Sequence, residues 1–524
     1  MFELPYGGRE REMKKGGRIL SIGLAAVLGM MSAGCMAEKS SVQPGNDRGE
    51  KSDYIPETVG IYEAEDAAWN GNVKVPAGLT KKEYSGTGYV EGFEEDADGC
   101  TFTITIEETG FYDLNFVSAS AGGEKHNYVT VDGEQIGTVM VEESGFADSL
   151  INRIYMEAGE HKISISKYWG WISLDCLKVL TSEPIDPGIY EVNAALSNPA
   201  ASEQTQRLYS YLCDIYGEKI LSGQYCDTGQ YGREFQVVKN AVGKTPAVLG
   251  LDFIEYTPSR VENGSQGHAT EFALDFWESG GIVTFCWHWN APSKYITGEW
   301  YSAFYTDSTN INLEKIMSGE DEEGYELLMK DIDAIAEQLL ILKEADVPVL
   351  WRPLHEASGG WFWWGASGPE AYKQLYILLY DRLTNEYGLD NLIWLWNGQD
   401  AEWYPGDEYV DIIGEDIYPG ERVYVPQTSA YLNAAENYST EQKMVYLSEN
   451  GCLFDPELAR RDGAMWGMWC TWQGEFVAKD VAMYTLSEQY TEESMLQKAY
   501  EDEGVITLED LPDFTTYEIR KDLQ

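Results

Sequence analysis

Eight short apolar runs punctuate the second half of this chain: Lys219–Ser222, Ala247–Leu251, Ile282–Trp287, Val347–Trp351, Leu392–Trp396, Val410–Gly414, Met444–Leu447 and Met465–Trp469. Runs this short read as buried strands rather than buried helices. Each except the last is followed by a stretch that reads as helix before the next run begins. In one such stretch Leu328, Ile332, Ile335, Leu339 and Leu342 fall at helical spacing. Pro369 opens another, which carries Leu375, Leu378, Leu379 and Leu383. Ahead of the first run, Ser202 opens a helix with Leu208, Leu212 and Ile215 on one face. Eight β/α units in one domain predict a closed (β/α)8 TIM barrel. The competing architecture is a doubly wound open sheet, but no Gly-rich phosphate loop follows the first run.

The polar residues at the ends of these runs carry the functional reading. Gln224, Asp252, His288, Glu356, Asn397, Asp416 and Glu449 all stand at or just past a carboxyl end. In a barrel those ends converge on one face, where active sites sit. Only Glu356 and Glu449 are glutamates. Hydrolysis of a glycosidic bond needs two flanking carboxyl groups, one to protonate the leaving oxygen and one to attack the anomeric carbon or activate water. With 88 acidic residues in the chain, any single glutamate is ordinarily a solvated or salt-bridged side chain. Glu356 differs by context. It sits in Trp351-Arg352-Pro353-Leu354-His355-Glu356-Ala357-Ser358-Gly359-Gly360-Trp361-Phe362-Trp363-Trp364-Gly365, where an apolar strand ends in charged groups and a Gly-rich turn carries three tryptophans.

That segment resembles the acid/base motif of glycoside hydrolase family 26, and Ser448-Glu449-Asn450-Gly451 resembles the family's nucleophile region. The resemblance continues through Leu221-Ser222-Gly223-Gln224, Pro246 to Phe253, Trp287-His288-Trp289-Asn290 and Gly414-Glu415-Asp416-Ile417-Tyr418-Pro419, and spans about Asn198 to Phe514. It implies a retaining endo-β-1,4-mannanase acting on mannan, glucomannan or galactomannan. Glu356 matches the acid/base and Glu449 the nucleophile. His355 looks like the neighbour of the acid/base, and Tyr418 like the tyrosine bonded to the nucleophile. Asp416 and His288 look like sugar-binding residues, and Trp361 and Trp472 like stacking platforms. Gln473 stands where some members carry Arg. The rival readings are an endo-β-glucanase or β-xylanase of the same mechanism, and a non-catalytic surface carbohydrate-binding protein. His355-Glu356 also begins like a zinc-peptidase HExxH motif, but Gly359 occupies the position of the second His. Catalysis as read here needs no cofactor.

Between Ile61 and about Leu180 the texture is different. Short alternating runs such as Thr101–Ile106, Tyr128–Val131 before Asp132-Gly133, and His161–Ile165 are broken by turn residues. They predict an all-β, jelly-roll-like sandwich. Tyr62-Glu63-Ala64-Glu65-Asp66-Ala67, Tyr84 to Val90 and Trp171 to Leu177 resemble the family 35 carbohydrate-binding modules. The resemblance implies a structural calcium held by Glu63, Glu65 and Asp175, hard oxygen donors of the kind that ion takes. On one strand Glu63 and Glu65 would face the same side. Trp169 and Trp171 read equally as a stacking platform or as core. The chain is therefore multidomain: a signal over 1–35, a tether over 36–58, the sandwich module over 59–181, a linker over 182–195 and the barrel over 196–520.

Lys14, Lys15 and Arg18, the apolar run Ile19–Met31 and Ser32-Ala33-Gly34-Cys35 form an export signal, with Met13 as the natural start. Cys35 resembles a bacterial lipoprotein cleavage site and is the expected lipidation position, although Ser32 stands where Leu is usual. An extracellular protein, anchored at the cell surface by lipid, is expected, and a monomer. The net charge of −51 repels nucleic acid and acidic polysaccharides, which favours a neutral partner, and the family resemblance implies a neutral plant polysaccharide of the mannan type. The eight cysteines include no CxxC pair, and a bridge between Cys213 and Cys226 is open.

Overall fold

A computed structural model describes residues 54–523 except 124, 142, 194 and 481–483. The export signal, most of the tether and Cys35 lie outside the described residues. Among the described residues, no helix is long and apolar enough to cross a membrane.

The front module is a two-sheet sandwich of ten strands: β1 (Thr58–Glu63), β2 (Ala68–Asn70), β3 (Val90–Glu91), β4 (Gly99–Ile106), β5 (Gly110–Ser120), β6 (Lys125–Val131), β7 (Glu134–Val141), β8 (Leu150–Met156), β9 (Gly159–Lys167) and β10 (Ile172–Thr181). One sheet runs β1-β10-β5-β8 with β3 beside β10, and the other runs β2-β4-β9-β6-β7. Alternation along β4 buries Phe102, Ile104 and Ile106 and exposes Thr103 and Thr105, as a half-buried antiparallel strand requires. The turn expected at Asp132-Gly133 joins β6 to β7. Glu63 and Glu65 do not share a strand, a correction to the sequence reading. β1 stops at Glu63, and Ala64–Asp66 form a 3-10 turn that buries Ala64.

The barrel strands are β11 (Ile220–Tyr225), β12 (Val248–Asp252), β13 (Ile282–Trp287), β14 (Val349–Pro353), β15 (Leu392–Trp396), β16 (Ile412–Ile417), β17 (Met444–Asn450) and β18 (Met468–Thr471). All neighbours pair in parallel, and β11 closes the ring by pairing both β18 and β12. The helices are α1 (Glu203–Ile215), α2 (Arg233–Val242), α3 (Pro258–Val261), α4 (Ala269–Glu278), α5 (Leu313–Met317), α6 (Glu322–Glu344), α7 (Pro369–Tyr380), α8 (Thr428–Asn437), α9 (Pro456–Asp462) and α10 (Glu493–Glu501). Ser202 caps α1, its side chain accepting from Thr205 N at 3.2 Å, and Pro369 occupies the first turn of α7.

Two expectations fail in detail. No α-helix separates β15 from β16; two 3-10 turns, Ala401–Trp403 and Asp407–Tyr409, fill that gap. Pro405-Gly406 interrupts the segment and leaves too few residues on either side for a stable helix. Conversely, the last strand does have its helix, α10. Cys213 and Cys226 are both buried free thiols, so no bridge joins them. Most of the tryptophan is core, as Trp287, Trp289, Trp351, Trp363, Trp364, Trp394, Trp396, Trp466 and Trp469 are fully buried.

Module and barrel belong to one compact unit. From β8, Arg153 donates Nε to Asp462 O at 2.9 Å while its guanidinium lies 4.0 Å over Phe111. Asn152 N donates to Ser429 Oγ at 2.8 Å, and Gln135 Nε2 donates to Pro419 O at 3.1 Å. Of the two tryptophans left open by sequence, Trp171 is 52% exposed and Trp169 is half-buried against His126.

Candidate active site

Glu356 and Glu449 meet at the carboxyl-terminal mouth of the barrel, with one carboxylate oxygen of each, and one of Asp416, all within 4.8 Å of one another. Glu449 lies on β17 itself. Glu356 lies just past β14, in a turn where both Leu354 (φ 54°) and Glu356 (φ 53°) adopt left-handed backbone. For residues with a Cβ that conformation costs about 1–3 kcal/mol each and persists only where surrounding contacts impose it. Here the Glu356 N–H donates to Asn397 O at 2.7 Å and lies 3.2 Å from Asn397 Oδ1. The Gly-rich turn that follows has two distinct uses. Gly360 (φ 69°) makes the reversal, whereas a Cβ on Gly359 would sit 2.0 Å from the Trp361 ring.

Arg352 organises the floor of the site. It is wholly buried on β14, and its guanidinium donates to Asp416 Oδ2 at 2.6 Å, to Tyr225 OH at 3.0 Å and to Glu449 Oε1. The other nucleophile oxygen, Glu449 Oε2, accepts from Tyr418 OH at 2.7 Å. Glu449 is thus fixed by a cation on one oxygen and a phenol on the other. Glu356 has no cation in contact; Trp361 Nε1 donates to its Oε2 at 2.9 Å.

These surroundings separate the two carboxyl groups. Burial, then the charges of Asp416 and Glu449, hold the Glu356 carboxyl well above its ordinary range. Burial also raises Glu449, but Arg352 opposes it and the rise stops at about 7. The shared proton therefore resides on Glu356, and Glu449 is the first to ionise. The catalytic form requires Glu449 ionised and Glu356 protonated, so kcat/KM is expected to fall on the acid side as Glu449 gains a proton and on the alkaline side as Glu356 loses its own. Glu356→Gln should lose the alkaline limb on an aryl glycoside whose leaving group needs no proton. An alkaline limb unchanged in that variant would reassign the acid.

The remaining residues singled out by sequence divide into two groups. His288, Trp361, Tyr418 and Trp472 are partly open to the cleft. Trp472 packs 4.6 Å from Tyr225 and 5.8 Å from His288, centroid to centroid. His355 and Asp416 are behind it. The Asp416 side chain is fully buried, engaged by Arg352, by Ser448 Oγ at 2.8 Å and by Asn397 Nδ2 at 3.3 Å. It cannot reach a sugar in this arrangement and acts instead on Arg352, which corrects the expected sugar contact. His355 is 1% exposed, and its Nε2 lies 3.3 Å from His288 Nε2. His288 Nδ1 bonds Asp252 Oδ2 at 2.6 Å. Burial alone would lower the His288 pKa, but Asp252 reverses it, whereas burial, Arg352 and His288 hold His355 well below its usual value. His288 is therefore the donor in that pair and neutral His355 the acceptor. Gln473 makes two contacts with Asp227, Nε2 to Oδ2 at 2.6 Å and Asp227 N to Oε1 at 3.2 Å.

The sequence reading gave no role to Arg352, Tyr225 or Ser448. Arg352 left a signal: a charged residue inside an apolar strand must find a buried partner. Tyr225 and Ser448 left none.

In the module, the three acidic residues gather on the loop Ser85–Gly88. Ser85 Oγ donates to Glu63 Oε2 at 2.7 Å, Ser85 N donates to Asp175 Oδ1 at 2.9 Å, and Gly88 N donates to Glu65 Oε1 at 2.9 Å. Glu65 Oε2 is buried without a partner, and a Cβ on Gly86 (φ 59°) would sit 2.4 Å from Glu65 Oε1. Among the described residues, the metal-capable trios crowded within 4.8 Å are Asp252–Cys286–His288 and Glu356–Asp416–Glu449, not these three.

Comparison with known proteins agrees with this geometry. Residues 197–500 match the family model described as glycosyl hydrolase family 26, and residues 60–182 match that of carbohydrate binding module family 35. The chain is 39% identical over 454 residues to a mannan endo-1,4-beta-mannosidase of Thermothelomyces thermophilus, covering 86% of this chain and 90% of that one. It is 36% identical over 461 residues to mannan endo-1,4-beta-mannosidase B of Piromyces sp, covering 86% and 77% respectively. A crystal structure of a Podospora anserina GH26-CBM35 beta-(1,4)-mannanase superposes with a TM-score of 0.60 at 37% identity, covering 87% of this chain and 99% of that one.

Proposed function

The chain belongs to glycosyl hydrolase family 26, with a family 35 carbohydrate-binding module ahead of the catalytic domain, and from that premise we propose that it is a retaining endo-β-1,4-mannanase. The close approach of the pair, one oxygen of Glu356 and one of Glu449 within 4.8 Å, supports retention together with the family membership. Retaining enzymes hold their carboxyl groups about 5–5.5 Å apart, and inverting ones leave about 6.5–9.5 Å for a water.

In the first step Glu449 attacks the anomeric carbon while Glu356 gives its proton to the departing glycosidic oxygen, and a glycosyl ester on Glu449 forms. Glu356, now a carboxylate, takes a proton from a water that attacks the same carbon. The ester breaks, the sugar leaves with its configuration kept, and Glu356 holds the proton again. Trp361 and Trp472 present aromatic faces to the sugar rings, and His288, held by Asp252 and His355, lines the cleft between them. The test is reducing-sugar release from galactomannan, glucomannan, barley glucan and xylan. Release from the mannans is expected, with the β-anomer appearing first by NMR. Release from glucan or xylan but not from mannan would overturn the substrate.

We also propose that the module takes a calcium ion through Glu63, Glu65 and Asp175. The unpartnered Glu65 Oε2 and the close approach permitted by Gly86 support this, because a bound cation would satisfy that oxygen. The ion would pin the Ser85–Gly88 loop. Calcium is expected to raise the melting temperature of the whole chain, and Glu65→Gln to remove that rise; equal melting in calcium and in chelator would count against the site. Export through the segment ending at Cys35, with lipid on that residue, completes the proposal. Labelled fatty acid should enter the wild type and not Cys35→Ser.

A further inference from the structure

We propose that the open cavity between the front module and the barrel is a second carbohydrate site, which holds a neutral, hydroxyl-rich stretch of the polysaccharide beyond the catalytic cleft. The cavity measures about 770 Å³, within the range of about 300–1,000 Å³ typical of ligand pockets. Its barrel wall includes Gln399, Glu415 and Gln427, and its module wall includes Thr138, Asn152 and Tyr155. The inference rests on the reading of the chain as a polysaccharide hydrolase.

Glu415 is the central observation. It precedes Asp416 on β16 and therefore points to the opposite side of the strand, away from the catalytic pair. The residue is 6% exposed, Tyr438 interacts with its carboxyl, and Oε1 has no hydrogen bond within 3.5 Å. Gln399 Nε2 approaches Oε2 at 3.4 Å. A buried carboxyl oxygen left unpaired is costly and needs an explanation. Burial lifts this carboxyl to about 8, so at neutral pH it is largely uncharged and adds no anion to this wall. Gln399 (φ 60°) and Gln427 (φ 54°) are held in left-handed backbone at the same wall, the kind of strain that gathers at ligand sites.

The surrounding charge selects the ligand class. The two lining arginines are already engaged: Arg153 donates to Asp462 O and Glu183 O, and Arg461 bonds Asp462 and lies 4.3 Å over Tyr155. Asp132, Glu134 and Glu157 add negative charge to the lining, which disfavours a uronate or phosphate. No trio of acidic, His or Cys side chains among the described lining residues crowds within 4.8 Å as a cation site would. Neutral amides, hydroxyls and an uncharged carboxyl remain, beside one aromatic ring.

The cavity is also joined to the chemistry. Ile417 lines it, and the next residue, Tyr418, bonds Glu449; Gln135 of the module donates to the carbonyl of Pro419. One loop is therefore wall to both spaces.

Thr138 is exposed on β7, and every described cysteine is buried. In a Cys35→Ser background, Thr138→Cys can thus be blocked with a bulky maleimide, and the unlabelled protein serves as its own folding control. Blocking is expected to raise KM on long mannan about fivefold, near 1 kcal/mol of lost binding, with kcat unchanged and with oligosaccharides confined to the cleft unaffected. Glu415→Leu should shift KM in the same direction. Linear and galactosylated chains of equal length tell a main-chain stretch from a branch as the occupant. Wild-type KM on every chain length, in both the blocked protein and Glu415→Leu, would overturn the site. Failure of the wild type to cleave mannan would instead sink the substrate assignment, and calorimetric binding of oligosaccharides to blocked and unblocked protein would still decide the cavity.

Discussion

A Glu449→Ala variant is expected to fold, to bind polysaccharide and to lose turnover by on the order of 10⁵-fold. The fold should survive because the change removes one of two anions on a buried cation. Arg352 keeps its 2.6 Å bond to Asp416 and its 3.0 Å bond to Tyr225, so no charge is stranded. Binding should survive because the aromatic and polar contacts along the cleft do not involve that carboxylate. Chemistry cannot survive, because no other carboxyl group is free to attack: Glu356 must protonate the leaving oxygen, and Asp416 is sealed behind Arg352. Added azide, small enough to enter the vacated space, should restore part of the rate with an activated substrate and yield a product of inverted configuration. Turnover of polysaccharide above about one per cent of wild type, with melting unchanged, would move the nucleophile elsewhere.

Arg352→Met is expected to damage both stability and rate. It leaves Asp416 and Glu449 buried with no cation, and removing one partner of a buried ion pair costs about 3–5 kcal/mol. For a domain of this size that lowers Tm by roughly 4–8 °C. The rate should fall on the order of 10²–10³-fold, because Glu449 loses the contact that orients one of its oxygens. The pH profile separates this role from mere scaffolding. Arg352 holds the Glu449 pKa down, so its removal should move the acid limb of kcat/KM to higher pH. Arg352→Lys should restore most of the melting temperature but not the rate, since one ammonium cannot bridge two carboxylates as a planar fork does. An acid limb in the same place would reduce Arg352 to a structural residue.

The fold was legible because its signals are local. Apolar runs such as Ile282–Trp287 and Leu392–Trp396 are strands in the structure with the same bounds, since a fully buried parallel strand is a continuous hydrophobic stretch between polar ends. After β15 the barrel pattern calls for a helix, but Pro405-Gly406 interrupts the segment and only 3-10 turns form. The positions of Glu356 and Glu449 were legible for the same local reason: each follows or ends a strand, and strand ends in a barrel share a face.

Asp416 shows where that reasoning stops. Read as lying past a strand that ends at Gly414, it would face the cleft. β16 in fact runs on to Ile417, paired with β17, so Asp416 sits within the ladder and its side chain is packed inward on Arg352, leaving Glu415 to face the opposite side. Where a strand ends depends on its neighbours' hydrogen bonds, and one residue of difference reverses the side chain.

The sequence by itself determined the alternation of strands and helices, the sandwich ahead of them and the two glutamates at the mouth, because composition and periodicity act over a few residues. The tertiary structure alone decided which oxygen of Glu449 meets Arg352, across 97 positions of chain, and how the module forms an open cavity with the barrel. Those contacts arise from register and packing between distant elements, and no pattern within either element encodes the partner.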